Sequence, residues 1–452
     1  MMQPKVSVIM PSKNVEKYIG MCLDSVQQQT LEDIEIICVD AMSTDGTREI
    51  IRGRQEKDNR IRLLDDDKGS SGYADNLGFK SASGKYVSIV ETDDYIRPEM
   101  LKNLYERAES EQLDYIKADF SMFVEMNGHK LTVNKVQPLD KLNIYNRVID
   151  TRDCPILLEK DGYLWRGIYR RDFIVNDNLW LNETKGAAYQ DNGFLHRTIT
   201  HGRRVMYVPE SYYQYRRDND NSSDYNPRGL EMMAEEYKFI ESDKKRKPKL
   251  FEPFLPVYYL KLFHQFTGQA SKVGTGYESI RREVASFRKW LMEGRESGNL
   301  RIEIFEDEYS KVEDFLDEPE AFLNNFWKKT SDNIKAWEIF IDDLMRRGRE
   351  FVVVSAGDRG KGMYMLLVRN LPRSKVWICD NAASKHGKKI GYSTVMPVEL
   401  TVQEHPAAVY VVANEKYGYE LREQLQSLGI DNKNIIVSEM PVGPHFGTSW
   451  TR

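Results

Sequence analysis

Residues 34–47 read I-E-I-I-C-V-D-A-M-S-T-D-G-T, and this stretch decides the fold class. Its first half is a largely apolar run that ends on Asp40, which is typical of a buried strand. Its second half is rich in Ser, Thr, Asp and Gly, the residues that form turns and cap helices. A buried strand that passes through a polar turn into a helix is the beginning of a βαβ unit.

The same alternation continues on both sides of this stretch. Strand-like runs at 6–11, 61–64 and 86–90 alternate with amphipathic helical segments at 15–28, 47–55, 74–83 and 98–112. Strands that alternate with helices of this length predict an α/β domain with a mostly parallel sheet. Ligands of such sheets bind beyond the carboxyl ends of the strands, so polar residues at those ends are the candidates for a site.

Three strand ends carry polar residues in this part of the chain. They are Pro11-Ser12-Lys13-Asn14 after the first strand, Asp40 to Thr47 after the second, and Glu91-Thr92-Asp93-Asp94 after the fourth. Carboxylates gathered in one cleft repel one another unless a cation or the donor groups of a ligand compensate. A hard divalent ion with oxygen ligands, bridging to phosphate oxygens, meets that demand. Each turn taken alone is equally consistent with a helix cap or a polar loop.

The composition is that of a folded protein without general affinity for polyanions. The chain has 452 residues, of which 40% are hydrophobic and 30% charged, with 65 Lys and Arg against 70 Asp and Glu. A net charge of −5 over this length gives no overall attraction to nucleic acid. At roughly 150 residues per domain, the length predicts two to four domains.

Cysteine usage and hydropathy indicate the cellular compartment that we expect for the protein. The four cysteines are scattered without a C-x-x-C pair, which argues against a thiolate zinc site and a disulfide framework. No basic and apolar leader precedes Val6, and no run of about 20 apolar residues is long enough to span a bilayer. We expect a cytoplasmic protein, either free or in peripheral contact with the inner face of the membrane.

The pattern of the sequence changes twice after the segment that predicts the first sheet. Residues 153–217 are irregular and rich in Trp, Tyr, Arg and Asp; a charged helical region follows, and strand–helix alternation returns from Glu350. We therefore predict an α/β domain at 1–228, a helical extension at 229–334 and a second, small Rossmann-like domain at 335–452.

Two segments of the helical region leave a membrane contact open. The basic run 244–249 is interpreted as a solvated linker between helices or as a contact with an anionic membrane. The aromatic stretch Phe254 to Phe266 favours packing in a core over contact with lipid.

The C-terminal region carries a near match to the dinucleotide fingerprint. S-A-G-D-R-G-K-G (355–362) lies between an apolar strand and a helix, and Asp380 ends the next strand. Glycines in this motif let backbone amides approach a pyrophosphate, but Ser355 replaces the first of them. The region resembles small Rossmann-like domains attached to polysaccharide-assembly enzymes, and we favour a structural or partner-binding role over nucleotide binding. The second motif of those domains is matched by Asp380-Asn381, Gly387, Ile390 and Val395.

Four segments together resemble one enzyme family. They are V-S-V-I-M-P-S-K-N (6–14), V-D-A-M-S-T-D-G-T (39–47), G-Y-A-D-N-L-G-F-K-S-A-S-G-K-Y (72–86) and E-T-D-D (91–94). Their order and spacing are similar to those of the family-2 glycosyltransferases of the GT-A fold, which invert the anomeric centre of a nucleotide-sugar donor. The resemblance extends over residues 5–217 and implies a Rossmann-like, mostly parallel sheet.

This resemblance implies a UDP-sugar donor and a set of donor-binding residues. Asp40 matches the aspartate that hydrogen-bonds the uracil ring, and Ser43 lies beside the base. Asp93 matches the last acid of the D-x-D motif, which binds the Mn²⁺ or Mg²⁺ ion that holds the diphosphate. The other donor-site positions implied by the match are Pro11, Ser12, Asn14, Ala74, Asn76, Glu91 and Thr92.

Four positions in these segments depart from the family pattern. Ala41 and Met42 stand between Asp40 and Ser43, where the family shows D-D-G-S, so the second acid is missing. Asp75 replaces the arginine of the A-R-N segment, and Glu91 replaces the first acid of D-x-D.

The catalytic base is implied by a later match. I-Y-R-R-D-F (168–173) followed by Y-Q-D-N (189–192) is similar to the L-Y-R-R-D-L segment and E-D pair of the family. Asp191 then matches the base, and Gln190 replaces the preceding glutamate. Inversion by direct displacement requires a carboxylate within hydrogen-bond reach of the attacking hydroxyl. Asp191 is also suited to cap the helix that follows.

Three further residues have two interpretations each. Trp165 matches a family aromatic near the sugar site, or it is a buried core residue. Arg216 and Arg217 match a basic segment that approaches the diphosphate, or they are surface residues.

Together these features predict an inverting, metal-dependent glycosyltransferase with a single aspartate base. It would move a sugar from a UDP-sugar to a hydroxyl of a cell-surface glycan or its lipid-linked precursor, and no nucleic-acid partner is expected. One alternative is an NAD(P)-dependent oxidoreductase or nucleotide-sugar-binding regulatory protein built on the C-terminal domain. Another is a catalytically silent carbohydrate- or nucleotide-binding protein. The sugar, the acceptor and the oligomeric state are not indicated by the sequence.

Overall fold

The computed structural model describes residues 3–126, 129–219, 226, 228–273, 276–371, 373–414 and 416–438. The chain divides into two compact units. The first consists of Met1–Ser121 and Lys135–Trp327, and the second of Met122–Asn134 and Lys328–Arg452. The helical extension predicted at 229–334 therefore falls almost entirely within the first unit.

The large sheet contains nine strands in the described residues. They are β1 Val6–Ser12, β2 Ile34–Asp40, β3 Ile61–Asp65, β4 Tyr86–Ile89, β5 Tyr95–Ile96, β6 Tyr115–Met126, β7 His129–Val136, β8 Gly167–Arg170 and β9 Val205–Arg216. Their order is β3-β2-β1-β4-β8-β6-β9-β5, and β7 pairs with β6 beside this path. Strands β1 to β4 are parallel, whereas β8 is antiparallel to β4 and β6, and β5 is antiparallel to β9. The predicted α/β class is confirmed.

The register of the parallel strands places their carboxyl ends side by side. Ser12 at the end of β1 lies opposite Asp40 at the end of β2, and Asp40 lies opposite Asp65 of β3. On the other side of β1, Ile9 lies opposite Ile89, the last residue of β4. All seven residues of β2 are buried, because helices cover both faces of a parallel sheet of this kind. The polar turns predicted to form a site therefore leave the sheet at one edge.

The helices that begin in the first unit include counterparts of the four predicted with the first sheet and several within the region predicted to be helical. They are α1 Glu16–Gln27, α2 Thr47–Gln55, α3 Ser71–Ser81, α4 Met100–Glu111, α5 Leu157–Lys160, α6 Arg171–Asn176, α7 Gln190–His201, α8 Gly229–Arg246, α9 Pro248–Phe251, α10 Leu255–Val273, α11 Arg281–Glu296, α12 Ile302–Phe305, α13 Tyr309–Asp317 and α14 Pro319–Arg347. Short 3₁₀ turns lie at Asp140–Leu142, Thr151–Asp153, Glu252–Phe254, Tyr277–Ser279 and Glu306–Glu308. The region 153–217, read as irregular, contains β8, α6, α7 and β9. Its strands were missed because they form by antiparallel pairing with distant strands rather than from a local apolar pattern.

Helix α10 confirms that the aromatic stretch at 254–266 packs in a core. Phe254, Tyr258 and Phe266 are completely buried, and the Phe266 ring lies 5.0 Å from that of Phe287 on α11. Among the described residues, we find no helix with the length and apolar character that crossing a bilayer requires.

The basic run 244–249 does not begin as a solvated linker. Lys244 belongs to α8 and is only 9% exposed. Its ammonium group pairs with Glu241 at 2.5 Å and lies over the rings of Tyr258 and Tyr259. A lysine can bury its aliphatic stem in this way when its charge is paired, which a reading of charge runs alone does not reveal.

His264 on α10 joins two acidic side chains. Its Nδ1 lies 2.8 Å from Glu159 Oε1, and its Nε2 lies 2.7 Å from Glu308 Oε2. The hydrogen bond with Glu159, together with the charge of both carboxylates, raises the pKa of His264 above its ordinary value despite partial burial.

We expect this contact to stabilise the fold in a pH-dependent manner. The unfolded histidine titrates near pH 6.5, so the stabilisation is fully present below that pH and is lost as the pH rises through the raised pKa of the folded state. Thermal unfolding between about pH 5.5 and 8.5 should show that His264→Gln is more destabilising at the acid end. Glu159→Gln should act in the same direction. An unfolding-temperature difference that is equal at both ends of the range would contradict the assignment.

The second unit contains the predicted small α/β domain. Its elements are β10 Glu350–Val354, α15 Asp358–Asn370, β11 Lys375–Cys379, β12 Lys389–Ile390, β13 Ser393–Thr394, α16 Val398–Glu404, β14 Val409–Val412, α17 Gly418–Ser427 and β15 Ile435–Val437, with 3₁₀ turns at Ala383–Lys385 and Asn432–Asn434. Four strands form a parallel sheet in the order β11-β10-β14-β15. Apolar clusters cover both faces of this sheet.

The turn after β10 has the tight geometry of the fingerprint. Ser355 has φ 96°, a conformation that favours the glycine it replaces. A Cβ on Gly360 would lie 1.7 Å from the Ser355 carbonyl oxygen, so only glycine fits there. Asp380 accepts hydrogen bonds from the backbone N–H groups of Ala356 and Ala382 and from Lys385 Nζ. Asp380, the acid of the fingerprint, therefore stabilises this turn through hydrogen bonds within the domain.

Candidate active site

Asp40, at the end of β2, is completely buried, and its carboxylate accepts hydrogen bonds from four donors. The Ser12 and Ser43 hydroxyls donate to Oδ1 at 3.3 and 2.6 Å. The Ser43 backbone N–H and Arg48 Nη1 donate to Oδ2 at 2.9 and 2.8 Å. A carboxylate with this many donors is held in one orientation.

Arg48 is a site residue that the sequence reasoning missed. From the first turn of α2 it bridges Asp40 and, at 2.6 Å, Asp65 at the end of β3. Its position in the sequence could have predicted this contact. A basic residue in the first turn of a helix that follows an acidic strand end can reach back to that acid.

The turns after β1 and β2 are joined to each other. The Asn14 backbone N–H donates to Ser43 Oγ at 2.8 Å, and the Thr44 N–H donates to Asn14 Oδ1 at 2.9 Å. Asn14 has φ 51°, which asparagine adopts more readily than most residues. Thr92, after β4, donates its hydroxyl to the Pro11 carbonyl oxygen at 2.9 Å. Hydrogen bonds therefore connect the predicted residues of the first, second and fourth strand ends to one another.

The acidic segment after β4 gathers three carboxyl groups. One ligand oxygen from each of Glu91, Asp93 and Asp94 lies within 4.8 Å of the others. We call these three residues the acid cluster. Asp94 is completely buried and accepts hydrogen bonds from the Tyr213 hydroxyl at 2.8 Å and from the Arg216 backbone N–H at 2.7 Å. Burial and the charges of Asp93 and Glu91 raise the pKa of Asp94 well above its ordinary value.

The acid cluster fits a hard divalent cation. It offers only carboxylate oxygens, the ligands that Mg²⁺ and Mn²⁺ prefer. Burial, and then the charges of Asp93 and Glu91, disfavour the charged form of Asp94, and a cation bound there would favour it. Sequence reasoning assigned the metal to Asp93 alone. Asp94 was missed although it is the next residue, because its burial depends on Tyr213 and Arg216 from β9.

The two predicted arginines have different surroundings. Arg216 is 4% exposed, donates from Nε to the Asp93 carbonyl oxygen at 2.9 Å, and lies over the Tyr18 ring. It therefore borders the acid cluster and is not a surface residue. Arg217 packs on Tyr215, whose hydroxyl accepts a hydrogen bond from Nη1 at 2.8 Å.

Trp165 is buried behind the acid cluster. Its ring stacks on that of Tyr213 at a centroid distance of 4.0 Å, and the hydroxyl of Tyr213 binds Asp94. Its burial is what the core interpretation expects, and its place near the sugar site stays a prediction. Trp165 holds the tyrosine that orients an acid of the cluster.

Ala74 and Asn76 on α3 are both buried. The Asn76 carboxamide donates to the Leu181 carbonyl oxygen and to Glu183 Oε1, and accepts from the Leu181 N–H. The structure thus uses Asn76 to tie α3 to the segment before α7, and its carboxamide is not among the groups that meet at the strand ends.

Asp191 lies in the first turn of α7, which begins at Gln190. The capping position is Tyr189, with φ 70°, so Asp191 is not the N-cap residue. The positive end of the helix dipole favours the charged form of a carboxyl group here. Two buried acids interact electrostatically with Asp191. Burial, followed by the charge of Asp191, raises the pKa of Asp75 to about 8, and burial raises the pKa of Glu236 to about 8.

The comparison with known families agrees with this geometry. Residues 7–164 match the profile described as "Glycosyl transferase family 2". They form a family-2 glycosyltransferase domain. The matched segment contains the site residues from Pro11 to Asp94, whereas Asp191 and Arg216 lie beyond it.

Related proteins carry the same domain. The uncharacterized glycosyltransferase EpsJ of Bacillus subtilis is 34% identical over 227 residues, which are 49% of this chain and 63% of EpsJ. The poly(ribitol-phosphate) beta-N-acetylglucosaminyltransferase TarS of Staphylococcus aureus is 28% identical over 226 residues, 47% of this chain and 39% of TarS. The chain thus spans less than two thirds of the length of either relative.

A solved structure shares the fold of the glycosyltransferase domain. The crystal structure of the S. aureus TarS fragment 1–349 in complex with UDP aligns with a TM-score of 0.50 and 20% identity, over 74% of this chain and 91% of that one. The GT-A fold implied by the sequence motifs is therefore confirmed.

Proposed function

We propose that this protein is an inverting, metal-dependent glycosyltransferase that moves a sugar from a UDP-sugar to a hydroxyl of a cell-surface glycan or its lipid-linked precursor. The observation that carries the proposal is that hydrogen bonds join the Asp40 turn, through β1, to the segment that carries the acid cluster, within a family-2 domain. The UDP bound to the TarS fragment, which shares the fold, supports uridine diphosphate as the leaving group. All four cysteines are free thiols, which fits the reducing cytoplasm that we expect.

The residues have distinct roles in this reaction. Asp40 faces the nucleoside, and Glu91, Asp93 and Asp94 would hold the divalent ion. When bound, that ion acts as a Lewis acid that stabilises the charge on the departing diphosphate. Asp191 accepts the proton of the acceptor hydroxyl as its oxygen attacks the anomeric carbon. The bond from that carbon to UDP breaks on the opposite face, its electron pair leaves with UDP, and the configuration inverts.

The C-terminal domain has no part in this chemistry in our proposal. Asp380, the acid that would bind a ribose in a dinucleotide site, is instead bonded to Ala356, Ala382 and Lys385. This arrangement favours a structural or partner-binding role over that of an oxidoreductase.

Release of UDP from a panel of UDP-sugars tests the proposal. We expect the purified protein to release UDP from at least one of them with Mn²⁺ or Mg²⁺ and not in excess EDTA, and to release no GDP from GDP-sugars. Absence of release from every donor, combined with stoichiometric binding of NAD(H), would favour the oxidoreductase alternative.

Asp40→Ala should weaken UDP binding by roughly tenfold or more, because losing a charged hydrogen-bond partner typically costs about 1.5–3 kcal/mol. Isothermal titration with UDP and Mn²⁺ measures the change. Asp65→Ala is the matched control, since it removes the other partner of Arg48 but is exposed at the end of β3. Equal affinities of the wild type for UDP and GDP would remove Asp40 from the uracil-binding role.

A further inference from the structure

We propose that Asp75 and Asp191 form a carboxylic acid–carboxylate pair in which Asp75 keeps the proton, so that Asp191 remains the only charged base. Asp75 is a positioning residue in this arrangement and stands where the family motif has an arginine. The pairing is a property of the fold; its effect on the reaction rate rests on the proposed function.

Helix α3 presents Asp75 to the beginning of α7. Gly72 and Phe79 lie one turn before and one turn after Asp75 on the same face of α3. A Cβ on Gly72 would lie 3.4 Å from Gln190 Cγ, and the Phe79 ring stacks on Phe194 at 5.7 Å. Asp75 is therefore placed between these contacts, at the height of Asp191.

One oxygen of the Asp75 carboxyl group is buried without a hydrogen-bond partner among the described residues. This oxygen is Oδ1, and the residue as a whole is 4% exposed. A carboxylate in such a place would be costly, whereas a carboxylic acid is not. Burial, followed by the charge of Asp191, raises the pKa of Asp75 to about 8, which agrees with the geometry.

The surroundings decide which carboxyl group keeps the proton. Asp191 lies in the first turn of a twelve-residue helix, where the dipole favours a negative charge, and Lys261 of α10 interacts with it electrostatically. Asp75 lies inside α3 and has neither advantage. Two carboxyl groups that interact electrostatically ionise in separate steps, and the more buried one ionises last.

Glu236 on α8 is the other acid that faces this pair. It interacts with the charge of Asp191, and burial raises its pKa to about 8. Its two oxygens accept hydrogen bonds from the Gly193 N–H and from Asn182 Nδ2, both at 2.9 Å. Both of these hydrogen bonds favour the charged form of Glu236, whereas Asp75 Oδ1 has no such bond, so we assign the proton of the pair with Asp191 to Asp75.

Thermal unfolding tests the pair without any substrate. An unfolded aspartate ionises near pH 3.9, whereas folded Asp75 keeps its proton to about pH 8, so the wild type loses stability as the pH rises between these values. The unfolding temperature of Asp75→Asn relative to the wild type should therefore rise from about pH 5 to pH 8 and then stay constant. In an Asp191→Asn background the rise should end at a lower pH, because one of the charges that opposes ionisation is gone.

A difference between Asp75→Asn and the wild type that is constant from about pH 5 to 9 would overturn the proposal, since Asp75 would then be ionised throughout. A rise that is unchanged in the Asp191→Asn background would also overturn it, by showing that the two groups do not interact. If Asp75→Asn does not fold, Asp75→Ser gives the same comparison with a smaller neutral side chain.

The pH dependence of kcat/KM tests the consequence for catalysis. In the wild type we expect a decline above about pH 8, where a second negative charge appears beside the base and repels the anionic donor. In Asp75→Asn this decline should move up by at least one pH unit, and by more than in Glu236→Gln. A decline that persists in Asp75→Asn and disappears in Glu236→Gln would assign the proton to Glu236 instead. A protein without transferase activity would refute the proposed function and leave the unfolding experiment to decide on the pair.

Discussion

Asp191→Asn should lower sugar transfer by about 10²-fold or more, because a general base of this kind typically contributes 10²–10⁴-fold. The amide has the shape of the carboxyl group but cannot accept the proton of the attacking hydroxyl. We expect the affinity for UDP and the unfolding temperature to remain near those of the wild type. Initial rates with saturating donor, together with calorimetric titration of UDP, separate these effects.

Asp172→Asn is the matched control for this variant. Asp172 is the second residue of α6, as Asp191 is of α7, but its side chain is exposed. Its substitution should leave transfer unchanged. We also expect the wild-type product to have the anomeric configuration opposite to that of the donor, as determined by NMR. An Asp191→Asn protein that keeps most of its rate, or a wild-type product that retains the configuration of the donor, would exclude Asp191 as the base of an inverting reaction.

Asp93→Asn should abolish transfer, and chelation should abolish transfer by the wild type. Without the second charged ligand of the acid cluster, a divalent ion is held too weakly to neutralise the departing diphosphate. The wild type should bind UDP more tightly with Mn²⁺ than in EDTA, and the variant should show no such difference. This comparison of UDP affinities tests metal binding directly and does not depend on an acceptor.

Asp67→Asn removes an exposed acid from the turn after β3 and serves as the control. It should retain both the Mn²⁺-dependent binding and the transfer activity. Full activity of the wild type in excess EDTA would show that the acid cluster is not a metal site.

The amino-acid sequence by itself determined the parallel half of the first sheet. The runs at 34–40 and 47–55 form a strand and a helix with the predicted bounds, because local apolar periodicity and turn residues specify them. Asp40 and Asp93 were found for the same reason: the ends of parallel strands meet at one edge, whatever the rest of the chain does. The small sheet of the C-terminal domain followed from the same alternation.

Only the tertiary structure decided how these residues are supported. Tyr213 reaches Asp94 across 119 positions of sequence because β9 pairs with β5 in antiparallel register. Asp75 and Asp191 interact electrostatically because α3 packs on α7, and the sequence of neither helix predicts this packing. Contacts between elements distant in sequence depend on the packing of the whole unit, so local pattern located the acids of this site, and long-range packing set their burial and charge.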